Sequence, residues 1–128
     1  MRYDTPNYLS FLALIPAADV AATANGSPFD LVNYVGDIAI RADIGGNTAG
    51  TSPTLALVIK ESTDNSNWTN AANVTFTGST GNAIAQVVSY DTRAHGRYMR
   101  VDKTIGGTNT PSFPASVVGI ATREYAVG

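Results

Sequence analysis

Residues 36–44, GDIAIRADI, alternate without a break. Ile38, Ile40, Ala42 and Ile44 fall on one side, and Asp37, Ala39, Arg41 and Asp43 on the other. A strand sends successive side chains to opposite faces, so a period of two describes a strand with one face buried. The pattern recurs in 54–61, TLALVIKE, where Leu55, Leu57 and Ile59 oppose Ala56, Val58 and Lys60. It recurs again in 97–105, RYMRVDKTI, where Met99, Val101 and Ile105 oppose Tyr98, Arg100, Asp102 and Thr104. Lys103 interrupts that apolar set, which fits a sheet rim where its stem lies along the core.

Further strands are expected at about 17–24, 29–34, 83–90 and 115–124, with a shorter one at 73–77. The run 9–15 reads as a strand or an arm. Between these segments stand Asn25-Gly26-Ser27-Pro28, read as a hairpin-like turn, and a loop from Gly45-Gly46 through Gly50 to Pro53. Gly78 to Asn82 and Gly106 to Pro111 read as polar turns. No stretch supports a helix longer than a turn or two. The best candidate, Ala17 to Ala24, contains Val20 and Thr23 and runs into Asn25-Gly26, so it reads as a strand. Strands recurring roughly every ten to fifteen residues give an all-β fold: a two-sheet antiparallel sandwich of about eight strands. Jelly-roll order is preferred, with an immunoglobulin-like sandwich as the alternative. One domain spans 17–128, and 1–16 is an N-terminal arm or edge segment.

The composition narrows function mainly by exclusion. Half of the 128 residues are Ala, Gly, Ser, Thr or Asn, only 14% are charged, and there are two Glu and two Lys. Eight scattered Lys and Arg supply no dense basic face for a phosphate backbone, which argues against nucleic-acid binding. With no cysteine, there is neither a disulfide framework nor a thiolate metal site. The apolar run from Tyr8 to Ile15 is cut by Pro16, and Arg2 is balanced by Asp4, so it lacks the positive flank of a secretion signal. No apolar run has the length needed to span a bilayer. A neutral, small-featured surface suits a protein packed against other proteins, because interface cores are poor in charge.

The polar stretch 61–70, ESTDNSNWTN, is the first place to look for a site. Counted from Asp64, a calcium loop would need glycine sixth and glutamate twelfth; Thr69 and Thr75 stand there, and Trp68 stands fifth. Asn25-Gly-Ser, Asn67-Trp-Thr and Asn73-Val-Thr match the glycan acceptor pattern, but about two matches are expected by chance at this composition. The stretch reads instead as a hairpin turn, with Trp68 returning an apolar ring to the sandwich. Catalysis has little to work with. His95, in Asp91-Thr-Arg-Ala-His-Gly-Arg, is the single histidine, and no G-x-S-x-G elbow occurs. The glycines at 45, 46 and 50 precede a loop and not a helix, so no phosphate cradle is present. No catalytic residue, cofactor or metal ligand is expected, and the protein is read as non-enzymatic. Aromatic residues near the two ends, Tyr3, Tyr8, Phe11 and Tyr125, are the candidate partner-interface residues.

Four segments taken in order carry a family resemblance: Asn25-Gly-Ser-Pro-Phe-Asp-Leu, Ile40-Arg-Ala-Asp-Ile-Gly-Gly, the hairpin TLALVIKESTDNSNWT, and RYMRVDKTIGGT followed by PSFPASVVGIAT. Over about 17–122 the chain resembles virion structural proteins of tailed bacteriophages, most of all small capsid decoration or cement proteins. The resemblance implies an all-β sandwich, often of jelly-roll type, that binds the outside of the capsid and stabilises it by bridging subunits. It implies the major capsid protein as partner, a homo-oligomer, and no catalytic residues. It also implies a place on the virion surface, with host cytoplasm during assembly. The alternative is a carbohydrate-binding sandwich of a tail or fibre, for which Trp68 with Asn67 and Asn70 is the candidate platform. A hydrolase built on His95 is the remaining reading.

Overall fold

A computed structural model of the chain describes residues 9–123. Seven strands run in the order β1 Leu9–Val20, β2 Phe29–Asp30, β3 Tyr34–Ile44, β4 Ala49–Ser62, β5 Thr69–Asn70, β6 Ile84–Asp91 and β7 Tyr98–Arg123. No helix occurs among the described residues. Every pairing is antiparallel. The strands form one curled sheet ordered β5-β4-β7-β3-β6, with β1 and β2 also pairing β7.

The 26-residue β7 is what curls the sheet. Its first part pairs with β4 from Tyr98↔Ser62 to Thr108↔Thr51, and with β2 at Met99 and Tyr98. Its second part lies between β1 and β3, with Val117 opposite Ile15 on one side and Ala42 on the other. Between the two parts β4 and β7 turn a corner together. The β4–β7 register shifts at Ala49/Thr51 and again at Thr51/Thr54, so that unpaired residues accumulate on both strands. Gly50, Ser52, Gly107, Asn109 and Thr110 all take positive φ there. A Cβ on Gly50, whose φ is 104°, would lie 2.5 Å from Pro111 Cα, so the corner needs glycine both for its torsion and for its space.

This corrects the reading of 50–53 and 106–111 as a loop and a turn. They are bends within strands, and the expected strands 97–105 and 115–124 are two arms of β7. Asn25 to Pro28 is likewise no hairpin turn. Ala24 bridges Lys103 and Phe29 pairs Met99, so the segment runs alongside β7. The Gly26 N–H donates to Asp102 Oδ1 at 3.1 Å, and any side chain on Gly26 would strike the Val101 carbonyl. Residues 73–77 form no strand; Asn73 takes a φ of 62°, and the segment tucks Val74 into the core with Phe76 half-buried. Strand 29–34 is shorter than expected, because only Phe29–Asp30 pairs before Tyr34 opens β3. The strand expected at 17–24 and the run 9–15 are one strand, β1, with register shifts at Ala13/Ile15 and Ile15/Ala18.

The alternating patterns decide which side is core. Ile38, Ile40, Ala42 and Ile44 of β3 are buried, as are Leu55, Leu57 and Ile59 of β4. They meet Met99, Val101, Phe113 and Val117 of β7 and Leu12, Leu14 and Val20 of β1 in one cluster. Lys103 and Ile105 are half-buried, but Lys103 is not on a rim: it pairs Leu57 on one side and bridges Ala24 on the other. Burial of this kind is the main force holding such a sheet, at roughly 1.5–3 kcal/mol per large apolar side chain.

Candidate functional site

The outward face of β1, β7, β3 and β6 is the first candidate. Paired residues share a face, so the register lays Phe11, Ile120, Ala39 and Ser89 in one row. The next row is Ala13, Val118, Arg41 and Val87. Phe11 is 72% exposed and Val87 62%, so packing within the chain leaves both largely uncovered. The charges of Arg41 and Asp43 cancel in an ion pair of 2.9 Å. These two rows are therefore apolar apart from Ser89 and the paired Arg41, while the exposed Asp37 at one end of β3 keeps its charge on the same face. Phe11 is the one proposed interface residue that the described structure includes, and it is on this face; Tyr3, Tyr8 and Tyr125 lie outside the described residues.

The 61–70 stretch is a self-contained turn. The Ser62 hydroxyl accepts the backbone N–H groups of Asp64 and Asn65 and donates to Asp64 Oδ1 at 2.9 Å. Asp64 Oδ1 accepts the N–H groups of Asn67 at 2.8 Å and Ser66 at 2.9 Å, and Oδ2 accepts the Asn67 side chain at 2.8 Å. Those bonds, led by the Asn67 N–H, hold the Asp64 carboxyl well below the usual carboxylate range. Asn65 takes a φ of 61°, which asparagine tolerates. Both carboxylate oxygens thus serve the turn itself.

Trp68 departs from the expectation that its ring enters the core. The ring is half-buried beneath the Arg100 guanidinium, 4.4 Å from its centroid. Arg100 points away from the face that carries Met99 and Val101 and is paired with Asp102. A stacked cation of this kind contributes about 0.5–1 kcal/mol near a surface. Asn67 and Asn70 are exposed, but Asn67 is committed to Asp64.

The third region surrounds His95. The turn after β6 is set by Asp91, which accepts the Arg93 N–H at 2.9 Å on its side chain and the Ala94 N–H at 3.1 Å on its carbonyl. That backbone bond to Arg93 also lowers the Asp91 carboxyl. The turn brings His95 Nδ1 to 2.6 Å from Glu61 Oε2, so the acid partner of His95 is Glu61 and not Asp91. Tyr90 stacks on His95 with centroids 4.7 Å apart and donates its hydroxyl to the Gly96 carbonyl at 2.9 Å. Burial, helped by the nearby Glu61 charge, pushes the Tyr90 phenol upward. Beside this cluster lies an open cleft of about 460 Å³, bounded by Leu31, Val32, Tyr34, Gly36, Arg93 and Arg97. Arg97 is tied to Asp30 by two hydrogen bonds of 2.8 Å. His95 and Glu61 are 34 residues apart, and no local motif joins them.

No known family model matches the chain. No characterised protein matches it by sequence. Solved structures match it in fold. The fold is similar to that of VP2 in the subviral particle of infectious bursal disease virus. The TM-score is 0.53 at 9% identity, covering 90% of this chain and 32% of the VP2 chain. The chain therefore spans about a third of that relative's length.

Proposed function

We propose that the protein is a non-enzymatic structural component of a virion, and more narrowly a decoration protein of a tailed-phage capsid. It binds the capsid exterior, with the major capsid protein as partner, and stabilises the shell by bridging subunits as a homo-oligomer. It does so without touching nucleic acid or membrane, after assembling in the host cytoplasm. The carrying observation is the apolar part of the outward face with Phe11, Ile120, Val118 and Val87, where Arg41 is paired with Asp43, a surface that suits burial against protein. The likeness to a viral capsid protein supports the same reading, as does a curled sheet compatible with a jelly-roll sandwich. Such a protein acts by modest buried area repeated over many copies.

The test mixes purified full-length protein with empty phage shells and follows co-sedimentation and the temperature of shell rupture. Binding with a raised rupture temperature, both weakened by Phe11→Asp, is the expected outcome. Absence of binding refutes the proposal. The carbohydrate reading is less well supported, because Arg100 already occupies one face of the Trp68 ring.

A further inference from the structure

The strand edges of this sheet are not alike. The β1 edge carries Pro16, Asp19 and two register shifts. The outer side of β4 is covered by β5 and by the bridge Leu55↔Ser79. The outer side of the first arm of β7 is covered by β2 and by the bridge Ala24↔Lys103. Proline, bulges and covering segments are the usual means of stopping an edge from pairing with another chain. β6 has no proline and no bulge, and the segment that lies against it does so through one side chain, Gln86, which holds the Thr77 N–H and carbonyl at 2.8 Å each. The strand pairs with β3 in eight consecutive register steps, from Asp91↔Asp37 to Ile84↔Ile44, with no shift. Among the described residues the one backbone hydrogen bond to its other side is at the end of the strand, where the Asp91 carbonyl accepts the Ala94 N–H at 3.1 Å. The strand contains no lysine, and its single charge, Asp91, is at the end and engaged by Arg93.

We infer that β6 is a pairing edge for a second copy of this chain, joined antiparallel about a two-fold axis into one continuous sheet. The strand is complementary to itself. A two-fold across a sheet keeps the buried faces of both copies on one side, so facing residues must both be odd or both even in number. The register centred on Val87 sets Val87 against Val87, Ala85 against Ser89 and Gln86 against Val88. No charge meets its like, and Asp91 falls outside the ladder. Val87, 62% exposed in the single chain, is covered by its own counterpart. The half-buried Ile84 and Val88 gain neighbours on the inner side, where Gln86 already holds Thr77. The outward apolar face also becomes continuous across both copies. An unrelated extended peptide would meet the same backbone groups but would have no reason to match this side-chain order.

The inference specifies the oligomer within the proposed function and does not require a capsid. Failure in the shell-binding assay leaves it standing, and its own failure leaves shell binding open. The experiment uses the full chain in sedimentation velocity over a dilution series, together with oxidative cross-linking of single-cysteine variants. The chain has no cysteine of its own. Facing Cα atoms in such a ladder are about 4.5–5.5 Å apart, inside the disulfide range. Val87→Cys is therefore expected to form a covalent dimer rapidly. Ala85→Cys alone should not, whereas a mixture of Ala85→Cys and Ser89→Cys should. Val87→Lys sets like charges opposite each other and is expected to weaken association by about tenfold or more. Its thermal midpoint in dilute solution should be unchanged, because Val87 makes little contact within one chain. A monomer at every concentration overturns the inference. So does a dimer insensitive to Val87→Lys, or cross-linking of Val87→Cys no faster than that of Phe11→Cys.

Discussion

Replacing Gly50 with alanine tests whether the corner shared by β4 and β7 is a strained junction or a slack loop. Gly50 has a φ of 104°, and an added Cβ would lie 2.5 Å from Pro111 Cα and 2.9 Å from Pro111 Cβ. Gly36 is the internal comparison, with a φ of 72° and nothing within 4 Å of the added atom. At Gly36 the cost is torsional, about 1–2 kcal/mol, and is partly offset by about 0.4–1 kcal/mol from a less flexible unfolded chain. The net is a loss of roughly 0.5–1 kcal/mol. At Gly50 the same terms apply, and Pro111, which is buried backbone and ring, must also move. Forcing a methyl into packed surroundings adds about 1–3 kcal/mol, for a total near 2–4 kcal/mol. Urea unfolding followed by circular dichroism reads both losses as shifts of midpoint at constant slope. A Gly50→Ala loss within about 0.5 kcal/mol of the Gly36→Ala loss would refute the argument that β4 and β7 turn against each other.

Three further outcomes follow from named contacts. Phe113→Ala, at a fully buried residue just past the corner, is expected to cost about 3–5 kcal/mol by the same urea measurement. Arg100→Met uncovers one face of Trp68, so its fluorescence should become more accessible to iodide, and stability should fall by more than the roughly 0.5–1 kcal/mol of the stacked cation, because the largely buried Asp102 loses its partner. The Asp64 carboxyl, followed by carbon NMR, should titrate well below an ordinary aspartate. Its pKa is lowered on folding, so its contribution is present above the unfolded value and is lost as pH falls through the folded one. The turn should therefore hold through mild acid and loosen only in strong acid.

The strands themselves were legible because period-two burial is a local property. In GDIAIRADI and TLALVIKE each side chain's face follows from its place in the row, and those faces are the ones buried. The punctuation was legible only in part. Gly and Pro at 50–53 and 106–111 announce a departure from straight strand, yet the same residues serve a chain reversal and a corner. Which one occurs depends on whether another strand bends alongside, and β4 and β7 are far apart in sequence. Asn25 to Pro28 misled in the same way, since its contacts are to Val101 and Asp102. Trp68 was assigned inward by its hydrophobicity, but Arg100, 32 positions on, offers it a cation on the outer side. His95 and Glu61 carry no signal of their meeting, because a turn after β6 and the end of β4 bring them together.

By itself the sequence determined an antiparallel β protein with a neutral surface, a hairpin turn closed by Asp64, and the inward faces of its main strands. Those properties rest on residue type and on neighbours within a few positions. Tertiary structure alone decided that one strand serves both arms of a curled sheet, that Phe11 and Val87 share an outward face, and that β6 pairs with a strand on one side only among the described residues. Those properties depend on register between distant segments, and register is set by the sum of many pairings that no single stretch contains.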